Sequence, residues 1–425
     1  MLFEAGPRQP PTRPGADPPR SRRHGLIPGL ILYAILLAGV TATASAEDID
    51  RLGMMRRSTV AWSLAEREFG FAHWDELYPA RVIARGPSVH PLPQGPALAG
   101  FGPDGTGSQL LQRVVDDLQL AGLIVLHRGQ LRLERYAHGF GPGGRWLSFS
   151  VAKSLTSTLV GAAIQDGAIG SVDDAVTRYI PELKGSAYEG VTLRQLLSMS
   201  SGTQWNEDYG DPASDFALFY LTPFAPGTDA TVSYMKTLHR HAAPGTRWQY
   251  NTGETNLVGV VLSRATGKPL ARYASEKIWA TYGMESDASW MLDRSGHEHG
   301  GCCVQATTRD FARFGQFILE GGRVDGRPVL PEDWLQAATR KQVDIGRPGS
   351  GYGYQWWTRD NGSFSAIGIH GQVIHVDPAR GLVITLNSAT AEASPSPASM
   401  QIRMALFDAI RAAVDAEPPV ALKPR

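Results

Sequence analysis

Trp146-Leu147-Ser148-Phe149-Ser150-Val151-Ala152-Lys153-Ser154-Leu155-Thr156-Ser157-Thr158-Leu159 is the stretch on which the reading of this chain turns. Val151, Leu155, Leu159 and Ala162 recur at helical spacing and Gly167 supplies a stop, so residues 150–166 are expected to form a helix that opens after an aromatic turn. Three residues on a helix bring two side chains to one face, so Ser150 and Lys153 meet. A serine hydroxyl becomes a nucleophile when a neighbouring base takes its proton, and a lysine in a desolvated pocket can have its pKa lowered enough to share that task. At a helix N-terminus the serine's own N–H also points toward developing negative charge. Taken alone, the Ser-x-x-Lys spacing arises by chance in most long chains, and its bland reading is a solvated lysine at a helix start.

Outward from this helix, Leu123 to Leu126 and Leu131 to Tyr136 flank a Gly-containing turn and read as a β-hairpin. Residues 107–120, Thr192 to Met199, Glu254 to Ala265, a segment from Pro269, and Met400 to Val414 have helical patterns. Aromatic and β-branched runs at Tyr352 to Thr358, Phe364 to Ile369, Val373 to Val376 and Leu382 to Leu386 read as strands. Helices in blocks around the strands, not alternating with them, predict an α+β fold: an antiparallel sheet built from the N- and C-terminal parts, flanked by helices, with an inserted mainly helical lobe at roughly 167–290. The catalytic domain is expected over 107–415, preceded by a wrapping segment or linker at 47–106 with a short helix near Arg56 to Phe69, and followed by a tail at 416–425.

The 425 residues are 42% hydrophobic and 19% charged, and Lys plus Arg (41) balance Asp plus Glu (41). A neutral globular chain without long basic runs in its body gives nucleic acid nothing to bind. Its expected partner is a small molecule. Only Cys302 and Cys303 are present; adjacent cysteines make a poor disulfide, so buried free thiols are expected, and a cysteine-rich zinc site is excluded by count. The N-terminus carries Arg8, Arg13, Arg20, Arg22 and Arg23, an apolar run from Leu26 to Val40, and the small-x-small Ala44-Ser45-Ala46. Residues 1–46 therefore read as a signal peptide and the protein as periplasmic or secreted, the alternative being an uncleaved membrane anchor.

From about Ala121 to Arg411 the sequence resembles the serine β-lactamase-like family of penicillin-recognising proteins. The resemblance is carried in order by Ser150-Val151-Ala152-Lys153-Ser154; Gly170-Ser171-Val172-Asp173-Asp174 with Tyr179-Ile180-Pro181; Thr192 to Leu197 leading to Ser201-Gly202; Pro244-Gly245-Thr246-Arg247-Trp248 leading to Tyr250; and Thr308 to Gly315. Asn206-Glu207-Asp208-Tyr209 and Ala366 to Gln372 look most like the 6-aminohexanoate-dimer hydrolase branch. By that resemblance Ser150 is the acylated nucleophile, Lys153 its base and Tyr250 the proton relay to the leaving group. No cofactor or metal is implied. Thr252 stands where the family's Tyr-x-Asn motif has Asn. Ala366-Ile367-Gly368 stands where β-lactamases have Lys-Thr-Gly, so the cation that binds the antibiotic's carboxylate is missing. The main-chain N–H of Ile369 would still form the oxyanion hole with that of Ser150.

Tyr209, Thr252, Gly368 and His370 are the candidate substrate contacts, His370 having packing as its alternative role. Trp356 and Trp357 should point to opposite faces of a strand. His297-Glu298-His299 mimics a metal pair but lacks a third ligand at suitable spacing. The resulting expectation is an exported serine hydrolase cleaving small amide or ester bonds, β-lactams poorly. The alternatives are a non-catalytic binding or sensor module on the same scaffold and, among enzymes, an esterase or D-alanyl peptidase.

Overall fold

The computed structural model describes residues 49–418. The expected signal segment lies outside them, as do residues 419–425 of the tail. Seven strands form one antiparallel sheet in the order 130–136, 120–127, 382–388, 373–377, 364–367, 357–359, 350–352. The hairpin joining its first two strands turns at Arg128 and Gly129, both at positive φ, as a two-residue loop between twisted strands requires. Leu382–Ser388 then pairs antiparallel with Leu120–His127, so chain ends some 260 residues apart share one sheet.

Strand alternation divides the core. Leu123, Val125, Ile384 and Leu386 face the helices Thr106–Asp117 and Pro397–Asp415, whose Val114, Leu406 and Ile410 are buried against them. Ile124, Leu126, Val383 and Ile374 face the opposite way, with Phe311, Phe314 and Phe317 of the helix Thr308–Leu319. Each face gains hydrophobic burial from residues two apart. The helix Ala152–Gln165 is buried from Ala152 to Ala163 and packs on Thr252–Thr266, which is capped by Asn251 and ended by left-handed Gly267. A helix enclosed on all sides suits a rigid platform.

Three expectations change. Tyr352 to Thr358 is not one strand: Ser350–Tyr352 and Trp357–Arg359 form a hairpin that reverses near Gln355, whose φ is 64°. The helix near Arg56 to Phe69 is broken into Arg51–Met55 and Leu64–Ala72, the second opened by a capping box of Ser63 and Glu66. Residues 49–106 wrap onto the fold and are no free linker, because Ala80–Ile83 is the edge of a second, four-stranded sheet with Ala288–Met291, Val304–Thr307 and Arg145–Leu147. Trp62, Phe71 and Trp74 of that segment pack around Trp146 and Phe149, immediately before Ser150.

Candidate active site

Ser150 lies in a 3-10 turn, Phe149–Val151, that runs straight into the helix Ala152–Gln165. Phe149 takes a φ of 44°, a left-handed conformation in a non-glycine residue, directly before the serine. In a 3-10 turn residues three apart eclipse, and Lys153 Nζ lies 3.0 Å from Ser150 Oγ. The amine also donates to Thr252 Oγ1 at 3.0 Å and to the carbonyl of Gly301 at 2.7 Å. An ammonium has three protons for these three oxygens; a neutral amine keeps two donors and turns its lone pair toward Ser150. Lys153 is only 1% exposed, and burial lowers its pKa to about 8, with the negative charge of Glu207 opposing the fall.

The helix Thr252–Thr266 supplies the opposite wall. Thr252 donates its N–H to Glu207 Oε2 at 3.0 Å and its hydroxyl to Glu207 Oε1. Tyr209 donates to the same carboxylate at 3.0 Å, and so does the indole of Trp205. Glu207 thus fixes Thr252, which fixes Lys153. Tyr250 is half-buried, and its ring stands 5.1 Å from Lys153 Nζ. Burial and the Glu207 charge push its phenol well above the usual tyrosine range, while a hydrogen bond with Ser150 pulls the other way. The phenol therefore stays protonated at neutral pH and can donate. Trp357 stacks on Tyr250 with ring centroids 5.8 Å apart, whereas Trp356 is buried against Phe314 and Phe364.

The third wall is the end of the strand Phe364–Ile367. A Cβ on Gly368 would lie 2.5 Å from the Ser148 carbonyl, so only glycine lets this strand reach the serine turn. Ser150 and Ile369 both stand in the first residues of a 3-10 turn, where backbone N–H groups have no partner within the turn itself. Both remain available as donors.

Ser150, Lys153, Tyr250 and Tyr209 are therefore brought together, with Gly368 and Ile369 against the serine turn. Two expected substrate contacts are displaced. His370 is fully buried, its Nδ1 against Thr390 O at 2.7 Å and its Nε2 against Thr59 Oγ1 at 2.9 Å, with burial lowering its pKa to about 4; it packs the core. Thr252 is buried and its hydroxyl is spent on Lys153 and Glu207.

Cys302 and Cys303 are bonded to each other, correcting the expectation of free thiols. The His-Glu-His triplet disperses. His297 pairs with Asp229 at 2.9 Å, Glu298 accepts from Arg81 at 2.6 Å, and His299 is buried beside Tyr220. Glu207 has a role that its place in a polar sequence segment does not announce: it joins Thr252 and Tyr209.

A beta-lactamase family model matches residues 108–409. The chain belongs to the beta-lactamase family. A 6-aminohexanoate-dimer hydrolase of Paenarthrobacter ureafaciens is 32% identical over 344 residues, covering 76% of this chain and 86% of the relative. An esterase of Burkholderia gladioli is 25% identical over 321 residues, covering 61% of this chain and 81% of its own. Among solved structures, one described as a candidate 6-aminohexanoate-dimer hydrolase from Bacillus anthracis superposes with a TM-score of 0.73 at 25% identity, over 88% of this chain and 99% of its own. A class C beta-lactamase shares the fold at a TM-score of 0.55 and 15% identity, over 74% of this chain and 96% of its own. Hydrolysis is the chemistry of the family, and the Ser150 region lies inside the matched segment.

Proposed function

We propose that the protein is an exported serine hydrolase that cleaves small amide or ester bonds through an acyl-Ser150 intermediate. The observation that carries this reading is the buried Lys153 amine 3.0 Å from Ser150 Oγ, with a pKa lowered to about 8. Neutral Lys153 takes the Ser150 proton as Oγ attacks the substrate carbonyl. The N–H groups of Ser150 and Ile369 receive the oxyanion, a contribution of roughly 10²–10³ in rate per donor in comparable sites. Tyr250 gives its proton to the departing nitrogen or oxygen and recovers one from the Lys153 ammonium. Water then repeats the sequence on the acyl-enzyme.

Tyr209, Tyr250 and Trp357 give an aromatic lining, and the Ala366-Ile367-Gly368 strand end carries no cation for a carboxylate. The likeness to 6-aminohexanoate-dimer hydrolase and to an esterase supports linear amides and esters as the substrate class. The basic and apolar N-terminal segment supports a periplasmic or secreted location. Among the described residues no helix is long and apolar enough to cross a membrane.

Incubation of the mature chain with a fluorophosphonate, followed by intact-mass measurement, tests the assignment. Wild type should gain one adduct and Ser150→Ala none. An unlabelled wild type, or equal labelling of the variant, would refute it. A panel of p-nitrophenyl esters, aminohexanoate dimers and D-alanyl peptides then ranks substrates.

A further inference from the structure

The turn Gly300 to Cys303 touches both partners of the reacting pair. The Gly301 carbonyl accepts from Lys153 Nζ at 2.7 Å, and the Cys303 N–H donates to the carbonyl of Phe149, the residue before Ser150, at 3.4 Å. The Gly301 N–H donates to Asn256 Oδ1 at 2.8 Å, and the Gly300 carbonyl accepts from Thr156 Oγ1 at 2.6 Å. A Cβ on Gly301 would lie 2.9 Å from the Thr252 carbonyl, so the turn is pressed against the backbone that carries Thr252. Few groups in the molecule have as direct a hold on the site.

To these anchors the turn adds a covalent link between neighbours. Cys303 takes a φ of 74°, the left-handed region that a side chain disfavours, and it is bonded to Cys302. Bridging adjacent residues closes a small ring around their shared peptide group and removes most of its torsional freedom. Cys303 is buried in the apolar cluster containing Phe149, whereas Cys302 is half-buried at that cluster's edge together with Ile369. A small reagent therefore has a sulfur within reach.

We infer that the Cys302–Cys303 disulfide is a positioning element of the active site, holding the Gly301 carbonyl on Lys153 and the Phe149 carbonyl behind Ser150, so that hydrolysis is faster in the oxidised protein than in the reduced one. This rests on the reading of Ser150 and Lys153 as the reacting pair. Two electrons and two protons from a dithiol such as dithiothreitol break the sulfur–sulfur bond and leave two thiols, while the reagent closes to its own disulfide. Oxidised glutathione reverses the change by thiol–disulfide exchange, releasing two molecules of reduced glutathione. Once the ring is open, Cys303 is free to leave its left-handed conformation, and both carbonyls lose one of the constraints that fix their positions.

The test combines a thiol count with steady-state kinetics on a p-nitrophenyl ester. The purified mature chain, denatured without reductant, should take up no iodoacetamide, and after dithiothreitol two equivalents. Reduction of the folded protein should lower kcat by about tenfold, within the range expected when reacting groups are displaced by a fraction of an ångström. KM should change by less than about twofold, because the effect falls on the chemical step. Oxidised glutathione should restore the rate. Cys302→Ser/Cys303→Ser should be slow in both redox conditions. Cys302→Ala/Cys303→Gly should recover most of kcat and ignore reductant, since glycine accepts positive φ without a link. That rescue separates positioning from a general loss of fold.

Two alkylated cysteines in the untreated protein would overturn the disulfide itself. Equal kcat in oxidised and reduced protein would overturn its coupling to the site. Absence of Ser150 labelling in either redox state would instead overturn the parent reading, and this inference with it.

Discussion

The two walls that meet at Ser150 are built on opposite principles. On one side Lys153, Thr252, Glu207 and Tyr209 are joined side chain to side chain, each fixed by the next. On the other, Gly368 and Ile369 present main chain, and the strand residues that lead into them, Ala366 and Ile367, are apolar. In the proposed mechanism the first wall moves protons, which needs particular side chains at particular separations. The second needs only an N–H in the right place, so its side chains are free to vary with substrate. A family can thus lose the cation that recognises β-lactams and keep its hydrolytic chemistry.

The largest expected effect lies on the side-chain wall. Tyr250→Phe should cost about 10²–10³ in kcat on an anilide but about tenfold or less on a p-nitrophenyl ester, whose leaving group departs without a proton. Equal losses on both would mean the phenol has another task. On the main-chain wall, kcat/KM for nitrocefin should fall about 100-fold below that for the best p-nitrophenyl ester, the worth of about two good contacts to the missing carboxylate partner. Efficient nitrocefin turnover would show that another group binds that carboxylate. Glu207→Gln should reduce kcat by only about fivefold, the scale of a neighbouring hydrogen bond. It should also shift the rise of rate with pH to lower pH: the carboxylate favours the Lys153 ammonium, so its removal lowers the lysine's pKa further. The smallest change is expected for Ile369→Ala, with kcat within about twofold of wild type, because the donor is main chain.

The same contrast governs how much could be read in advance. Ser150 and Lys153 were legible as neighbours because three-residue spacing has a geometric meaning on any helix, and as a reacting pair only through the resemblance. Tyr250 was legible only through resemblance, since nothing in periodicity places residue 250 beside residue 150. Glu207 stayed hidden because an acidic residue in a polar loop looks solvated until the fold brings Thr252 to it. The edge strand Ala80–Ile83 has only four residues, with Val82 exposed, too short and too mixed to announce a strand. The Gln355 reversal and the Cys302–Cys303 ring both place non-glycine residues at positive φ, a conformation that sequence does not advertise. His370 is ambiguous by type, since a histidine near an active-site strand can contact substrate or pack the core, and the fold gives it the packing role. The sheet and its covering helices, by contrast, follow from long runs of period two and period 3.6, where many residues agree.

The proposed chemistry depends most directly on the protonation of one buried amine, and the pH dependence of fluorophosphonate labelling at Ser150 measures it. The labelling rate of wild type should rise with pH to a plateau with a midpoint near the lysine value of about 8, as the ammonium gives way to the base. A rate that stays flat across pH 6 to 9.5, or that falls as Lys153 loses its proton, would contradict it.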